Sequence, residues 1–297
     1  MGVSIVEVSP RDGLQNESLY LPTEHKLALI RSAAAAGIGR IEATAFVHPG
    51  RVPQMADAEE VVRGTHIPGL RVNGLVLNRR GAERAVASQV DEITFVILAS
   101  ETFNRRNQGC SRAESLAEWT EVSALCRENG IKTTFLVGAA FGCPFEGEIA
   151  PTAVIELAAA GLEFGADELA LADTIGCGVP KQTTALFGQL HLIAGTTPLR
   201  AHFHNTRNTG YANALAAVDA GVTQLDSSFG GLGGCPFAPN ATGNIATEDL
   251  AWILERSGIA TGVDVDAAIA ITRQLSDWGY STPALLGRAG PFPSPDM

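Results

Sequence analysis

Ser4-Ile5-Val6-Glu7-Val8-Ser9-Pro10-Arg11-Asp12-Gly13 opens the chain with a strand-like run that ends in a turn. The turn after a first strand separates the two common ways of alternating strands with helices. A doubly wound open sheet normally places a glycine-rich nucleotide loop there. Pro10-Arg11-Asp12-Gly13 is not such a loop; it carries an arginine and a carboxylate between a proline and a glycine. Seven further strand-like runs come after it, at 40–46, 71–77, 92–99, 133–140, 168–173, 199–205 and 223–229. Helical patterns separate them. Thr23-Glu24 starts one, with Leu27, Ile30 and Ala34 at helical spacing, and Thr247-Glu248-Asp249 starts another, with Leu250, Ile253 and Leu254 on one face. Gly37, Gly130 and Gly221 stand where helices should end, the usual residue just past a helix C-terminus. Eight strand–helix units within about 250 residues predict a (β/α)8 TIM barrel, an α/β fold. The barrel is expected over about 4–258, an additional C-terminal helical segment and tail over about 264–297, and the whole of 1–297 as one domain.

The 297 residues carry a net charge of −11, which argues against a nucleic-acid surface, since that would show a basic stripe. A small phosphorylated ligand needs only a few local cations. Arg79, Arg80, Arg105 and Arg106 are candidates, although such pairs are commonly solvated helix residues. The five cysteines are scattered with no two at CxxC spacing, so neither a zinc knuckle nor a disulfide framework is expected, and a reduced, cytoplasmic setting fits. No signal peptide is expected ahead of Ser4, and no apolar run is long enough to span a bilayer.

In such a barrel, function collects at the C-terminal ends of the strands. The first strand delivers Arg11 and Asp12 to that end, unless the two merely pair with each other. The second carries Glu42 on a strand buried on both faces, where an ionised carboxylate is costly without a partner. Arg11 is the nearest one, and the pair would hold the guanidinium rigid for work on an anion. The seventh strand ends in His202-Phe203-His204, and side chains two apart on a strand share a face. With Asp12 the two imidazoles make a mixed N/O set that suits Mg²⁺, Mn²⁺ or another octahedral divalent ion. Weaker candidates are Asp173-Thr174 at the end of the sixth strand, Asn73 and Asn78 flanking the third, and Asp226 in the eighth, as an anchor behind the site or a core ion-pair partner.

The stretch Gly230-Gly-Leu-Gly-Gly-Cys-Pro-Phe-Ala-Pro-Asn-Ala-Thr-Gly-Asn244 lies between the eighth strand and a helix start. Its composition suits neither helix nor strand, and it reads as an active-site lid carrying one thiol, Cys235. Asn244 at its far end would add a neutral oxygen to the metal. A divalent ion, a fixed arginine and a thiol acid suit C–C bond cleavage. The ion would acidify a substrate hydroxyl, a base would take its proton, Arg11 would stabilise the departing enolate, and Cys235 would protonate its carbon.

The residues carrying this chemistry resemble a known family. The run from Val6 through Arg11-Asp12-Gly13-Leu14-Gln15-Asn16 to Glu17 is similar to the first-strand signature of the hydroxymethylglutaryl-CoA lyase family, metal-dependent TIM-barrel lyases. Gly231-Leu232-Gly233-Gly234-Cys235-Pro236-Phe237-Ala238, Gly243-Asn244, Ala246-Thr247-Glu248-Asp249, Gly142-Cys143-Pro144-Phe145-Glu146-Gly147 and Asp173-Thr174-Ile175-Gly176 also match, in order along nearly the whole chain. The resemblance implies Mg²⁺ or Mn²⁺ on Asp12, His202, His204 and Asn244, with Arg11 as enolate stabiliser, Glu42 as active-site carboxylate and Cys235 as lid thiol. It implies retro-Claisen cleavage of a 3-hydroxy-3-methylglutaryl-CoA-like acyl-CoA thioester to acetyl-CoA and a 3-oxo acid, with His202 or Asp12 as base, in a protein that is often a homodimer. Ser18, Gly50-Arg51, Val137-Gly138-Ala139-Ala140-Phe141 and Asn205-Thr206-Arg207-Asn208-Thr209 depart from the family pattern. Citramalyl-CoA or another branched hydroxyacyl-CoA therefore stays open as substrate. The rivals are a superfamily aldolase acting on a 4-hydroxy-2-oxo acid, a condensing enzyme, and a metal-binding barrel without catalysis.

Overall fold

The computed structural model describes residues 2–234, 243–290 and 292. Eight strands, β1 (Ser4–Glu7), β2 (Arg40–Ala45), β3 (Arg71–Val76), β4 (Glu92–Leu98), β5 (Lys132–Gly138), β6 (Glu168–Asp173), β7 (Leu199–Phe203) and β8 (Gln224–Ser227), form a closed parallel barrel in chain order. β1 and β8 close it, with Ser4 opposite Gln224 and Glu7 opposite Ser227. Helices cover the outside. Gly37, Gly130 and Gly221 all have positive φ at their positions beyond helix ends, which a side chain would resist.

The two last strands stop short of the expected runs. β7 ends at Phe203 and β8 at Ser227, because the chain returning at 243–247 takes over their pairing. His204 bridges to Asn244 and Ser228 to Ala246. The backbone NH of Asn205 donates to Gly243 O at 3.1 Å, that of Ile245 to Phe203 O at 3.2 Å, and that of Ser228 to Ile245 O at 3.1 Å.

Strand residues alternate in character. Ile41, Ala43, Ile93, Phe95, Ile97, Leu169, Leu171, Ala201, Phe203 and Leu225 join the main apolar core with the helices. Their neighbours point the other way and meet across the barrel. Arg40 on β2 reaches Glu92 on β4 at 2.5 Å, Glu168 on β6 at 2.8 Å and Thr134 on β5 at 3.1 Å. Arg200 on β7 pairs with Asp226 and reaches Thr94 on β4 at 3.3 Å. A small separate cluster of Leu136, Ala170 and Ala172, with Val96 against it, is apolar inside. A barrel interior is usually filled by branched apolar side chains. This one has a polar waist, and its ionised groups persist because each guanidinium is matched to carboxylates.

The C-terminal helix Val265–Asp277, with Asp264 as its N-cap, packs on the turn Phe229–Gly231 that comes after β8. Thr272 on that helix donates to Glu248 Oε1 at 2.5 Å, and Glu248 Oε2 accepts from the NH of Gly230 at 3.2 Å. The extra helix thus braces the root of the glycine-rich stretch. No helix among the described residues is long and apolar enough to cross a membrane.

Candidate active site

Beyond β1 the chain makes one wide turn, Ser9–Gly13, in which the NH of Gly13 donates to Val8 O at 3.1 Å. Pro10 has no NH to contribute a tighter ladder. Single wide turns of this kind recur at functional sites. Here the turn brings Arg11 and Asp12 back over the barrel mouth, both buried.

Arg11 Nε donates to Glu42 Oε1 at 2.5 Å, and Arg11 Nη1 to Asp12 Oδ1 at 2.5 Å. The Arg11–Glu42 pair expected from the cost of a lone buried carboxylate is therefore present. The Arg11–Asp12 neighbour pair is present too, so the two readings of the turn coexist. Burial would make the guanidinium easier to deprotonate, but Glu42 and Asp12 outweigh that and raise its pKa.

Asp12, His202 and His204 converge, with one potential ligand atom from each lying within 4.8 Å of the others. Asp12 Oδ2 stands 3.8 Å from His202 Nε2 and 3.7 Å from His204 Nε2. Those separations are too long for hydrogen bonds and suit groups that share a cation. Burial alone would raise the Asp12 pKa, but Arg11 and the two imidazoles hold it well below the usual carboxylate range. Burial likewise opposes charge on His202, yet Asp226 and Asp12 raise its pKa.

Asn244 reaches the same point from the far root of the glycine-rich stretch. Its Nδ2 donates to Asp12 Oδ2 and to Leu232 O, each at 2.9 Å. Its Oδ1 is buried with no partner among the described residues. This approach requires Gly233: a Cβ there would lie 2.6 Å from Asn244 Nδ2 and 2.9 Å from Asp12 O, and its φ is +110°. The donor set fits a divalent ion on two counts. Asp12 Oδ2 and the two imidazole Nε2 atoms converge at distances too long for hydrogen bonds, and the amide oxygen of Asn244 has no partner among the described residues. Cys235 lies outside the described residues, as do the lid residues up to 242.

The weaker candidates separate. Asp173 accepts from the NH groups of Cys177 at 2.9 Å and Gly178 at 2.8 Å, so it shapes the loop after β6. Thr174 Oγ1 accepts from the NH of Ala139, which holds a left-handed φ of +52°. Asn73 does not flank the third strand but lies buried within it, its Nδ2 donating to Thr94 Oγ1 at 2.6 Å; the two-residue alternation turns it into the barrel. Asn78 caps the helix Arg79–Ala87. Asp226 serves in both senses raised above, pairing with Arg200 and with His202 Nδ1 at 3.0 Å. Arg79 pairs with Glu83 and Glu121, Arg105 with Glu101, and Arg106 lies over the Phe145 ring, as solvated helix residues do. The described cysteines, Cys110, Cys126, Cys143 and Cys177, are free thiols, and burial pushes Cys126 and Cys177 up to about 12.

Two groups near the site escaped the sequence reading. Glu7 accepts from the NH of Ser9 at 2.8 Å, the NH of Phe229 at 3.1 Å and Thr247 Oγ1 at 2.6 Å, tying the Arg11–Asp12 turn to both roots of the glycine-rich stretch. Burial pushes it up to about 7 against these hydrogen bonds. The other is the waist of Arg40, Glu92, Glu168 and Arg200. Its signal was present: each is a charge on a strand buried on both faces, the same property that marks Glu42.

The HMGL-like family model matches residues 2–275. A curated relative, the (R)-citramalyl-CoA lyase of Chloroflexus aurantiacus, is 42% identical over 97% of this chain and 95% of its own length. The hydroxymethylglutaryl-CoA lyase of Pseudomonas mevalonii is also 42% identical, over 92% of this chain and 91% of its own. Among solved structures, an HMG-CoA lyase from Acinetobacter baumannii in complex with coenzyme A and 3-methylmalate superposes with a TM-score of 0.94. It is 40% identical and covers 99% of this chain and 96% of that one.

Proposed function

The chain belongs to the HMGL-like family, and from that premise we propose that it is a carbon–carbon lyase cleaving a 3-hydroxyacyl-CoA thioester in a retro-Claisen reaction. The observation that carries this reading is the meeting of Asp12, His202 and His204 beside the Arg11–Glu42 pair at one end of the barrel. Asp12, His202, His204 and Asn244 would hold Mg²⁺ or Mn²⁺, which when bound lowers the pKa of a substrate hydroxyl and polarises a neighbouring oxygen.

The chain's own groups supply the rest. Asp12 and His202 are the two that can take the hydroxyl proton. As the C2–C3 bond breaks, its electron pair passes into the thioester as an enolate. Arg11, held by Glu42 and Asp12, keeps a preorganised guanidinium for that oxygen and loses nothing to reorganisation. Cys235 delivers a proton to the enolate carbon to complete acetyl-CoA. From 3-hydroxy-3-methylglutaryl-CoA the other product is a 3-oxo acid. A thiol near its ordinary pKa is mostly protonated at neutral pH and can donate. A reducing, cytoplasmic setting would keep it from being oxidised, and a homodimer is the assembly the family suggests.

A second substrate reading is citramalyl-CoA, which loses acetyl-CoA in the same way and leaves a 2-oxo acid. It is supported by the citramalyl-CoA lyase relative and by the departures at Ser18, Gly50-Arg51 and Asn205–Thr209. In the last of these, Arg207 donates to Ile175 O at 3.0 Å and Gly176 O at 2.9 Å, linking two loops at the mouth.

The test is a panel of hydroxyacyl-CoA thioesters incubated with Mg²⁺ or Mn²⁺, with acetyl-CoA release as the readout. Release from 3-hydroxy-3-methylglutaryl-CoA or citramalyl-CoA is expected. Cleavage of a 4-hydroxy-2-oxo acid with no thioester cleaved would overturn the reading.

A further inference from the structure

We infer that Asp226 is the positioning residue that sets the tautomer and orientation of His202, and that Arg200 holds Asp226 in place for it. Arg200 and His202 are two apart on β7 and so share its inward face. β8 runs alongside with Arg200 opposite Gln224 and Ala201 opposite Leu225, which brings Asp226 level with His202. Its carboxylate is divided between them. Oδ1 takes the Nε–H of Arg200, and Oδ2 lies 3.0 Å from His202 Nδ1.

The chemistry of that contact leaves one arrangement. An ionised carboxylate only accepts hydrogen bonds. Asp226 is ionised because it sits against a guanidinium that stays charged at any working pH. Nδ1 of His202 must then carry the hydrogen, and in the neutral ring Nε2 is the atom with a free lone pair. Nε2 is also the atom that faces Asp12, at 3.8 Å. The ring is thus presented to the site in one tautomer before any ligand arrives.

His204 differs. Its Nδ1 is buried without a hydrogen-bond partner among the described residues, so no neighbour there dictates its tautomer. Two imidazoles two residues apart therefore play unequal parts, one locked and one adjustable.

Arg200 is fully buried and cannot swing away. Its Nη1 donates to Thr94 Oγ1 at 3.3 Å and stands 4.0 Å from Glu168, and its Nη2 stands 3.8 Å from Glu42. The path Arg200–Asp226–His202 thus fastens the site to the waist of the barrel. A carboxylate behind a metal-bound imidazole raises its basicity and fixes its direction, and its loss commonly weakens metal binding about 10–100-fold.

The inference rests on the reading that the cluster binds a divalent ion, and the experiment keeps the two apart. Two-bond ¹H–¹⁵N spectra of the six histidines, assigned with His202→Gln, are recorded on metal-free and Mg²⁺-saturated protein. His202 is expected to show a protonated Nδ1 in both; a ring protonated on Nε2 alone would overturn the inference. These spectra use the unaltered chain, so they decide the matter even if Asp226 variants do not fold. In parallel, Mn²⁺ is titrated into metal-free wild type, Asp226→Asn and Thr134→Val. Thr134 belongs to the waist but does not touch Asp226, so its variant reports general loosening. Asp226→Asn is expected to bind Mn²⁺ about 10-fold or more weakly and Thr134→Val like wild type. Equal weakening in both would reduce Asp226 to a structural role. Wild-type affinity in Asp226→Asn would overturn this inference alone, and no uptake by wild type would overturn the metal-site reading.

Discussion

The mouth and the waist of the barrel are made of the same kinds of side chain, yet they differ in what is left over. In the waist, Arg40 faces Glu92 and Glu168, and Arg200 faces Asp226, so guanidinium and carboxylate answer each other across the interior. At the mouth, Arg11 faces two carboxylates, and beyond them stand two imidazoles and an amide oxygen without a partner. The first arrangement is answered largely by the chain itself, although Arg200 Nη2 lacks a hydrogen bond. In the function proposed above, the second is completed by a cation and a substrate. Closed and open ion pairs thus share their residue types and differ in what they leave for a ligand.

The largest effect should come from breaking the open region. Cys235→Ser or Asp12→Asn is expected to lower turnover by about 10³-fold or more, equivalent to roughly 4 kcal/mol of barrel-mouth chemistry. The unfolding midpoint of Cys235→Ser should stay close to wild type, and that variant should still take up Mn²⁺. Unchanged turnover in Cys235→Ser would remove the thiol from the reaction.

Breaking the closed region should tell first on stability. Arg200→Met leaves Asp226 buried without its counter-charge, a loss of about 3–5 kcal/mol in urea unfolding. A variant as stable as wild type would show that the waist is not held by its charges. Next in size, His204→Ala should weaken Mn²⁺ binding by about 10–100-fold, or about 1.4–2.7 kcal/mol, with little change in metal-free stability. An unaffected titration would sink the ligand assignment.

Glu7, which ties the mouth turn to the roots of the glycine-rich stretch, gives the smallest signal, one that depends on pH. Its pKa rises from 4.5 to about 7 on folding. The stability it contributes is therefore fully present below pH 4.5 and is lost as pH rises through 7. Glu7→Gln lacks that loss. Its melting temperature relative to wild type should climb between about pH 5 and pH 8, by a few degrees for each kcal/mol. A difference that stays flat with pH would mean that Glu7 does not titrate in this range.

Much of the mouth was legible because its rules are local. The two-residue period of a strand put His202 and His204 on one face, and the cost of a buried charge linked Arg11 to Glu42. The same rules apply to Arg40, Glu92, Glu168 and Arg200, but each of these charges pairs with groups on other strands, and those partners are visible only once the barrel closes. Glu7 was beyond reach for another reason. Its partners Phe229 and Thr247 lie 222 and 240 residues away, so nothing near it in the chain announces a hub. The strand ends were overrun at β7 and β8 because the residues that displace the ladder arrive from 243–247.

The two roots of the glycine-rich stretch touch. A Cβ on Gly243 would fall 2.1 Å from Gly233 O and 2.4 Å from Gly231 O, so the chain leaves and re-enters the barrel through a single neck. The segment between spans no distance that the fold must bridge, and closing a longer loop on a fixed neck costs only a fraction of a kcal/mol per doubling. Enlarging either neck glycine would force the two sides of that neck apart and carry Asn244 away from Asp12, so a single added methyl there would dismantle the junction on which the barrel mouth closes.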